Sequence, residues 1–131
     1  MEKIYICVCM LILCVTGYSQ SDCAKVREGK FKMTDPKSKK VCLITREGDT
    51  QTEKMEEAEE EFTFDIKWLD DCTYTLTPTA STLARNKDVK DIGTMTVKIT
   101  KVKANSYVHQ VTVANNPKFK RVDEVFFVEE K

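Results

Sequence analysis

The chain of 131 residues carries 21 lysine and arginine side chains and 21 aspartate and glutamate side chains, which gives a formal net charge of zero. This balance excludes the strongly basic surface by which proteins attract nucleic acids, and we expect no nucleic-acid partner. The length suits a single domain with one core.

The first residues, MEKIYICVCMLILCVTGYSQ, have the features of a secretory signal peptide. Lys3 supplies a basic start, an apolar run follows, and Gly17 and Ser19 are small residues at the positions that a signal peptidase reads. The sequence therefore predicts cleavage after residue 19 and export of a single domain, residues 20–131, to the periplasm or the extracellular space. The apolar run is too short to span a bilayer comfortably, and no stable membrane insertion is expected.

Three of the six cysteines follow the predicted signal peptide, and they allow three disulfide pairings. Cys42 lies in a predicted strand, KVCLITRE, and is interpreted as a small apolar core residue. Cys23 and Cys72 lie at element edges, so Cys23–Cys72 is the favoured pair in an oxidising compartment. Neither C-x-x-C nor H-x-x-x-H spacing is present. We therefore expect no metal site formed by cysteines and His109, and no cofactor.

Short alternating segments separated by turn residues follow Cys23 along the whole chain. Their spacing is typical of an all-β barrel or sandwich with about eight strands. The sequence predicts a small antiparallel up-and-down β-barrel with the architecture of lipocalins, and a β-sandwich is the alternative. The predicted strands are residues 30–34, 41–47, 50–56, 62–69, 72–78, 94–103, 106–114 and 119–129.

Two segments do not show strand alternation. TEKMEEAEEE consists of good helix formers, but strand-like runs flank it closely, so residues 56–61 are predicted to form the acidic tip of a hairpin. The longest connection, residues 79–93, is predicted to contain a short helix at 81–87 with Ser81 as its N-cap. A connection of this length suits either a lid over a barrel mouth or a plain crossover loop, and the plain loop is favoured.

Three segments, CAKVREGKF, ITREGDTQTE and IKWLDDCTYTLT, occur in this order along the chain. Together they resemble a group of small exported proteins of Bacteroidota, some of which carry the name DNA topoisomerase IV. The resemblance implies that Cys23 and Cys72 belong to the shared pattern and that Cys42 is additional. Nothing in the sequence supports topoisomerase activity, because the chain is short and has neither a basic surface nor an ATP-binding motif.

Alternation in the predicted strands gives the barrel one apolar face that is rich in aromatic residues. An eight-stranded barrel either fills its interior with such side chains or holds one small ligand. We therefore place the candidate ligand-binding residues on this inward face. They are Phe62, Phe64, Trp68, Tyr74, Tyr107 and His109.

The sequence contains few residues that could form a catalytic site. Its single histidine, His109, is interpreted as a packed or hydrogen-bonded residue, and no G-x-S-x-G, H-E-x-x-H or glycine-rich phosphate loop is present. The favoured hypothesis is a non-catalytic exported binding protein for a small apolar ligand or a protein partner of the cell envelope. A structural envelope-associated protein with a filled core is the alternative, and an enzyme is the third choice.

Overall fold

The computed structural model describes residues 21–86 and 88–128, so the predicted signal peptide lies outside the described residues. Within them, eight antiparallel strands pair in chain order, and the last pairs with the first to close a barrel. The predicted up-and-down barrel is confirmed, and the alternative of a β-sandwich is wrong because the sheet closes on itself. The strands are β1 (Gly29–Thr34), β2 (Val41–Glu47), β3 (Thr50–Met55), β4 (Glu61–Asp70), β5 (Thr73–Pro78), β6 (Met95–Val102), β7 (Ser106–Val113) and β8 (Asn116–Phe127).

The up-and-down topology sorts the connections between the two ends of the barrel. The connections β2–β3, β4–β5 and β6–β7 lie at one end, together with the 3₁₀ helix Ser21–Val26 that precedes β1. We call this the closed end. The connections β1–β2, β3–β4, β5–β6 and β7–β8 lie at the opposite end, which we call the open end.

A disulfide ties the 3₁₀ helix to the closed end. Cys23 is bonded to Cys72 in the β4–β5 turn, with their Cα atoms 5.4 Å apart, as the sequence predicts. Val26, the last residue of the 3₁₀ helix, is fully buried. Cys42 is buried in β2 and forms no disulfide within the described residues, which confirms its predicted place in the core.

The β5–β6 connection is helical over much of its length. It contains α1 (Ala80–Arg85) and α2 (Asp88–Ile92). Both helices are short, and in the described ranges no helix is long and apolar enough to cross a membrane.

The predicted boundaries of α1 are wrong at its start. The helix begins at Ala80, and its N-cap residue is Thr79, not Ser81. Thr79 makes no side-chain cap bond, because its hydroxyl group lies 2.6 Å from the hydroxyl group of Thr63 in β4. A tertiary contact therefore fixes where the helix begins. Lys87, the predicted last residue, lies outside the described residues.

The acidic segment at residues 56–61 forms a hairpin tip, as predicted. β3 ends at Met55 and pairs antiparallel with β4, which begins at Glu61. Strand pairing on both sides thus overrides the helical propensity of the glutamates.

The barrel interior follows the predicted alternation on most strands. It also contains three buried polar side chains, Arg46, Gln51 and His109, so the prediction of an apolar interior is incomplete. The buried apolar and aromatic residues of the strands are Phe31, Cys42, Ile44, Phe64, Ile66, Tyr74, Leu76, Val97, Ile99, Tyr107 and Val125.

Candidate ligand-binding cavity

The half of the barrel nearer the open end contains a cavity of about 460 Å³. This volume lies within the usual range for small-molecule sites, about 300–1,000 Å³. Because every second residue of a strand points inward, several strands contribute apolar side chains to the wall. The apolar lining consists of Met33, Ile44, Leu76, Ile92, Met95, Val97, Val111, Val113 and Phe119.

Arg46, from β2, forms part of the cavity floor, and its side chain is almost fully buried. Its Nε–H donates to Gln51 Oε1 at 2.8 Å, and Nη1 donates to the carbonyl oxygen of Val26 at 2.7 Å. Nη2 donates to the hydroxyl oxygen of Tyr74 at 2.7 Å and to that of Tyr107. The guanidinium group thus joins the 3₁₀ helix to β3, β5 and β7.

Aromatic rings surround the Arg46 charge. Its Cζ atom lies 4.7 Å from the centroid of the Phe31 ring, 5.0 Å from that of Tyr74 and 5.5 Å from that of Tyr107. No carboxylate among the described residues lies within the 4.0 Å of a salt bridge to this guanidinium group. Hydrogen bonds and ring faces therefore replace the hydration that the cation loses on burial.

Burial also keeps the two tyrosine hydroxyl groups uncharged. It is the largest cause of the raised pKa of both Tyr74 and Tyr107, although the charge of Arg46 acts in the opposite direction. The hydroxyl groups therefore accept hydrogen bonds from Arg46 as neutral phenols and do not form ion pairs with it.

Gln51 connects Arg46 to an acidic side chain on the cavity wall. Because Oε1 of Gln51 accepts from Arg46, its Nε2 points the other way and donates to Glu53 Oε2 at 2.6 Å. We call Arg46, Gln51 and Glu53 the polar chain. Burial raises the pKa of Glu53, while the hydrogen bond from Gln51 and the charge of Arg46 act to lower it.

A second polar group lies on the wall formed by β7 and β8. His109 is paired in register with Asp123, and its Nε2 lies 3.3 Å from Asp123 Oδ2. Arg121 Nε donates to Asp123 Oδ1 at 2.9 Å. Burial lowers the pKa of His109, with Arg46 and Arg121 adding to this effect and Asp123 opposing it. The neutral ring therefore donates its Nε2–H to Asp123.

The cavity mouth is built by the β5–β6 and β7–β8 connections. Asp91 and Ile92, at the end of α2, line the mouth together with Asn115. Asn115 Nδ2 donates to the carbonyl oxygen of Asp91 at 2.9 Å. Gly93 has φ +76°, and a Cβ atom there would lie 2.9 Å from Asn115 Nδ2. From the sequence, a plain crossover loop is favoured for residues 79–93. In the structure, α2 of this connection contributes Asp91 and Ile92 to the cavity lining, so the connection forms part of the site.

Two of the six candidate binding residues, Tyr74 and His109, line the cavity. Tyr107 lies beside it and bonds to Arg46, whereas Phe64 is buried in the core away from the lining. Phe62 and Trp68 are partly buried and also pack outside the cavity lining.

The sequence prediction missed every polar residue of the lining except Tyr74 and His109. The missed residues are Arg46, Gln51, Glu53, Asp91, Asn115, Asn116, Arg121 and Asp123. Alternation could have located Arg46, because VCLITRE places it on the same face as the core residues Cys42 and Ile44. Asp123 gave no such signal, since β8 is exposed at most of its positions.

Comparison with known proteins adds no family to this description: no protein-family model, curated protein or solved structure matches the chain. Within residues 21–86 and 88–128, no group of three or more histidine, cysteine, aspartate or glutamate side chains could hold a metal ion. What the site can do follows from the residues of its cavity.

Proposed function

We propose that this protein is an exported, non-catalytic binding protein that holds a small, mostly apolar molecule in the barrel. The cavity of about 460 Å³ carries this proposal, because its walls are mainly aliphatic and its mouth lies at one end. A structural protein with a filled core is expected to be close-packed, without an interior cavity of ligand size. The cavity therefore favours ligand binding over that alternative.

The surroundings of His109 support a non-catalytic role. Nucleophilic catalysis needs a base that is hydrogen-bonded to a nucleophile on one side and to an orienting group on the other. His109 has the orienting partner, Asp123, but in the described part of the chain its Nδ1 atom is buried without a hydrogen-bond partner. Among the described residues, no serine, threonine or cysteine side chain is hydrogen-bonded to His109.

The disulfide supports export to the periplasm or the extracellular space. Disulfides such as Cys23–Cys72 persist in oxidising compartments and are rare in the cytosol. This agrees with the secretory signal peptide that the sequence predicts for residues 1–19.

Titration with an environment-sensitive apolar dye tests the binding proposal. We expect saturable fluorescence enhancement with the wild-type protein and competition by apolar compounds. Val111→Trp fills the cavity from β7 and should abolish the enhancement, and Met95→Trp does the same from β6. Val122→Trp is the matched control, because Val122 is 61% exposed on β8 and does not line the cavity.

The proposal fails if the dye shows no saturable signal, or if all four proteins bind it equally. Circular dichroism shows whether each tryptophan variant keeps the barrel. A folded Val111→Trp or Met95→Trp protein that binds as tightly as the wild type would place the dye elsewhere on the surface and overturn the proposal.

A further inference from the structure

Glu53 presents the cavity with a carboxyl oxygen that is available to a ligand. Its Oε2 atom accepts from Gln51, but no donor in the described ranges bonds to Oε1. Because Arg46 fixes the orientation of the Gln51 amide, the amide cannot turn to offer its oxygen to the cavity without losing both hydrogen bonds. The polar chain thus ends at an oriented hydrogen-bond acceptor.

The positive groups of the cavity, in contrast, are already engaged. Arg46 donates four hydrogen bonds out of the five N–H groups of a guanidinium, and three aromatic rings surround it. Arg121 is about half exposed; its Nε donates to Asp123 and its Nη2 lies 3.9 Å from Asp35, so two carboxylates offset its charge. To pair fully with Arg46, an incoming carboxylate would have to displace one of the Arg46 partners, and the displaced group would then remain buried without a hydrogen bond.

The charges that line the cavity also disfavour an anionic ligand. Arg46 and Arg121 are the basic residues of the lining, and His109 is neutral. The acidic residues are Glu53, Asp91 and Asp123, so the acids outnumber the bases. A ligand carboxylate within hydrogen-bonding distance of ionised Glu53 would place two like charges together in a poorly solvated site, where they repel strongly.

From these contacts we infer that the ligand is an apolar molecule with a hydrogen-bond donor at one end, an amine or a hydroxyl group, which donates to Glu53. The apolar remainder of the molecule lies along the aliphatic wall towards the mouth. This inference rests on the proposed function and gives the ligand class. It separates this cavity from one that holds fatty acids by their carboxylates.

Three probes that share a decyl chain test the head-group preference: decylamine, decanol and decanoic acid. Each competes with the apolar dye at a series of pH values that rise from neutral, because burial raises the pKa of Glu53 and a higher pH favours its ionised form. A hydrogen bond to a charged group contributes about 1.5–3 kcal/mol, a factor of ten or more in affinity, so decylamine should bind at least about tenfold tighter than decanoate. Decanol should lie between the two.

Glu53→Gln identifies the group that sets this preference. The amide keeps the size of the side chain but removes its charge, so we expect decylamine to lose about tenfold in affinity while the dye still binds. Asp65→Asn is the matched control, because Asp65 is an exposed acid on β4 outside the cavity. It should leave the order of the three probes unchanged.

Tighter binding of decanoate than of decylamine would overturn the inference and leave the binding function intact. Equal binding of the three probes, or the same preference in Glu53→Gln as in the wild type, would also overturn it. Failure of the dye and of all three probes to bind would overturn the proposed function and, with it, the ligand class.

Discussion

Arg46 is the residue on which the floor of the cavity depends. A buried guanidinium group loses its hydration. This loss is tolerable only if its nitrogen atoms donate hydrogen bonds to acceptors within the protein. Here the partners come from four separate parts of the chain: Val26, Gln51, Tyr74 and Tyr107. One side chain therefore holds the 3₁₀ helix and three strands in fixed relation.

Replacing Arg46 with Met should lower the free energy of unfolding by about 3–5 kcal/mol, because four buried acceptors lose their donor together and each buried group left without a partner costs about 1–3 kcal/mol. Arg46→Lys should also destabilise the protein, since an ammonium group cannot reproduce the planar fork of hydrogen bonds. Urea denaturation measures both changes. Arg85→Met is the control, because Arg85 is exposed and its loss should cost less than about 0.5 kcal/mol. Equal stability of Arg46→Met and wild type would contradict the assigned role.

His109 should make the protein sensitive to mild acid. Its folded pKa lies below the ordinary value of 6.5, so the unfolded chain takes up a proton first as the pH falls. Above that value both states are neutral and His109 contributes no pH dependence. Below it, stability should decline by at most about 1.4 kcal/mol per pH unit until the folded His109 also titrates.

Comparison with His109→Gln isolates this contribution, because a glutamine amide can still donate to Asp123. The raised pKa of Glu53 has the opposite effect, because it makes the folded protein more stable as the pH falls. This contribution is the same in both proteins and cancels in the difference between their stabilities. The stability difference between the two proteins should stay constant above pH 6.5 and shift against the wild type below it. A difference that is constant over the whole range would show that His109 does not titrate as described.

The polar residues of the site were harder to predict than the apolar ones for a physical reason. Charged side chains are almost never fully buried unless they are paired, so the charge of Arg46 or Glu53 indicates an exposed position, even though alternation places Arg46 on the core face. Their burial depends on partners that are distant in sequence. Tyr107, which follows Arg46 by 61 positions, is one of them.

At the scale of elements, Thr82 holds α1 against β4. It is fully buried, and its hydroxyl group accepts from the Thr63 N–H at 2.7 Å and donates to the Thr63 carbonyl oxygen at 3.0 Å. The helix has only six residues, too few to be stable alone in water. Its position over the barrel wall therefore depends on this pair of hydrogen bonds.

Thr82→Val keeps the shape of the side chain but removes the hydroxyl group. We expect a loss of about 1–3 kcal/mol in the free energy of unfolding, because the Thr63 backbone groups lose a buried partner. Hydrogen exchange at the Thr63 amide should accelerate in parallel. Ser81→Ala, at the exposed neighbouring position, should leave both measurements unchanged. An unchanged exchange rate in Thr82→Val would contradict the anchoring role.

The strands were predictable from the sequence because alternation, turn residues and register are local properties. β4 and β5 lie within two residues of their predicted limits, and the hairpin tip between β3 and β4 is where the sequence places it. The start of α1 was not predictable, since a contact of Thr79 with Thr63 fixes it. That contact spans 16 positions and leaves no periodic signal.

At the scale of the whole molecule, the barrel is hollow because its bulky side chains are unevenly distributed. Phe31, Tyr74 and Tyr107 gather around Arg46 towards the closed end. Nearer the open end, Phe64 packs outside the lining. The lining there consists mainly of smaller or flexible side chains such as Met95 and Val113, together with Phe119. Alternation reveals which residues point inward but not how their volumes are distributed along the barrel axis. The sequence therefore left open whether the interior is filled or hollow.

The Cys23–Cys72 disulfide should contribute as strongly as Arg46 to the stability of this closed end. It joins residues separated by 49 positions, and the chain-entropy model assigns such a cross-link roughly 3–5 kcal/mol. Cys23→Ser and Cys72→Ser should therefore lower the melting temperature equally, and the double variant should fall no further than either single one. Cys42→Ala should cost only about 1 kcal/mol, because it removes packing and no cross-link.

Differential scanning calorimetry of the four variants measures these losses, and peptide mapping without reductant identifies the bonded cysteines. Other contacts reinforce the same junction. Arg27 lies 4.5 Å above the Trp68 ring and pairs with Asp71 at 3.6 Å, but both groups of that ion pair are largely exposed and contribute little. Without the disulfide, the 3₁₀ helix is thus held mainly by Val26 and by Arg46. Additive losses in the two single variants, or Cys42 found in the cross-link, would contradict this account of how the closed end is secured.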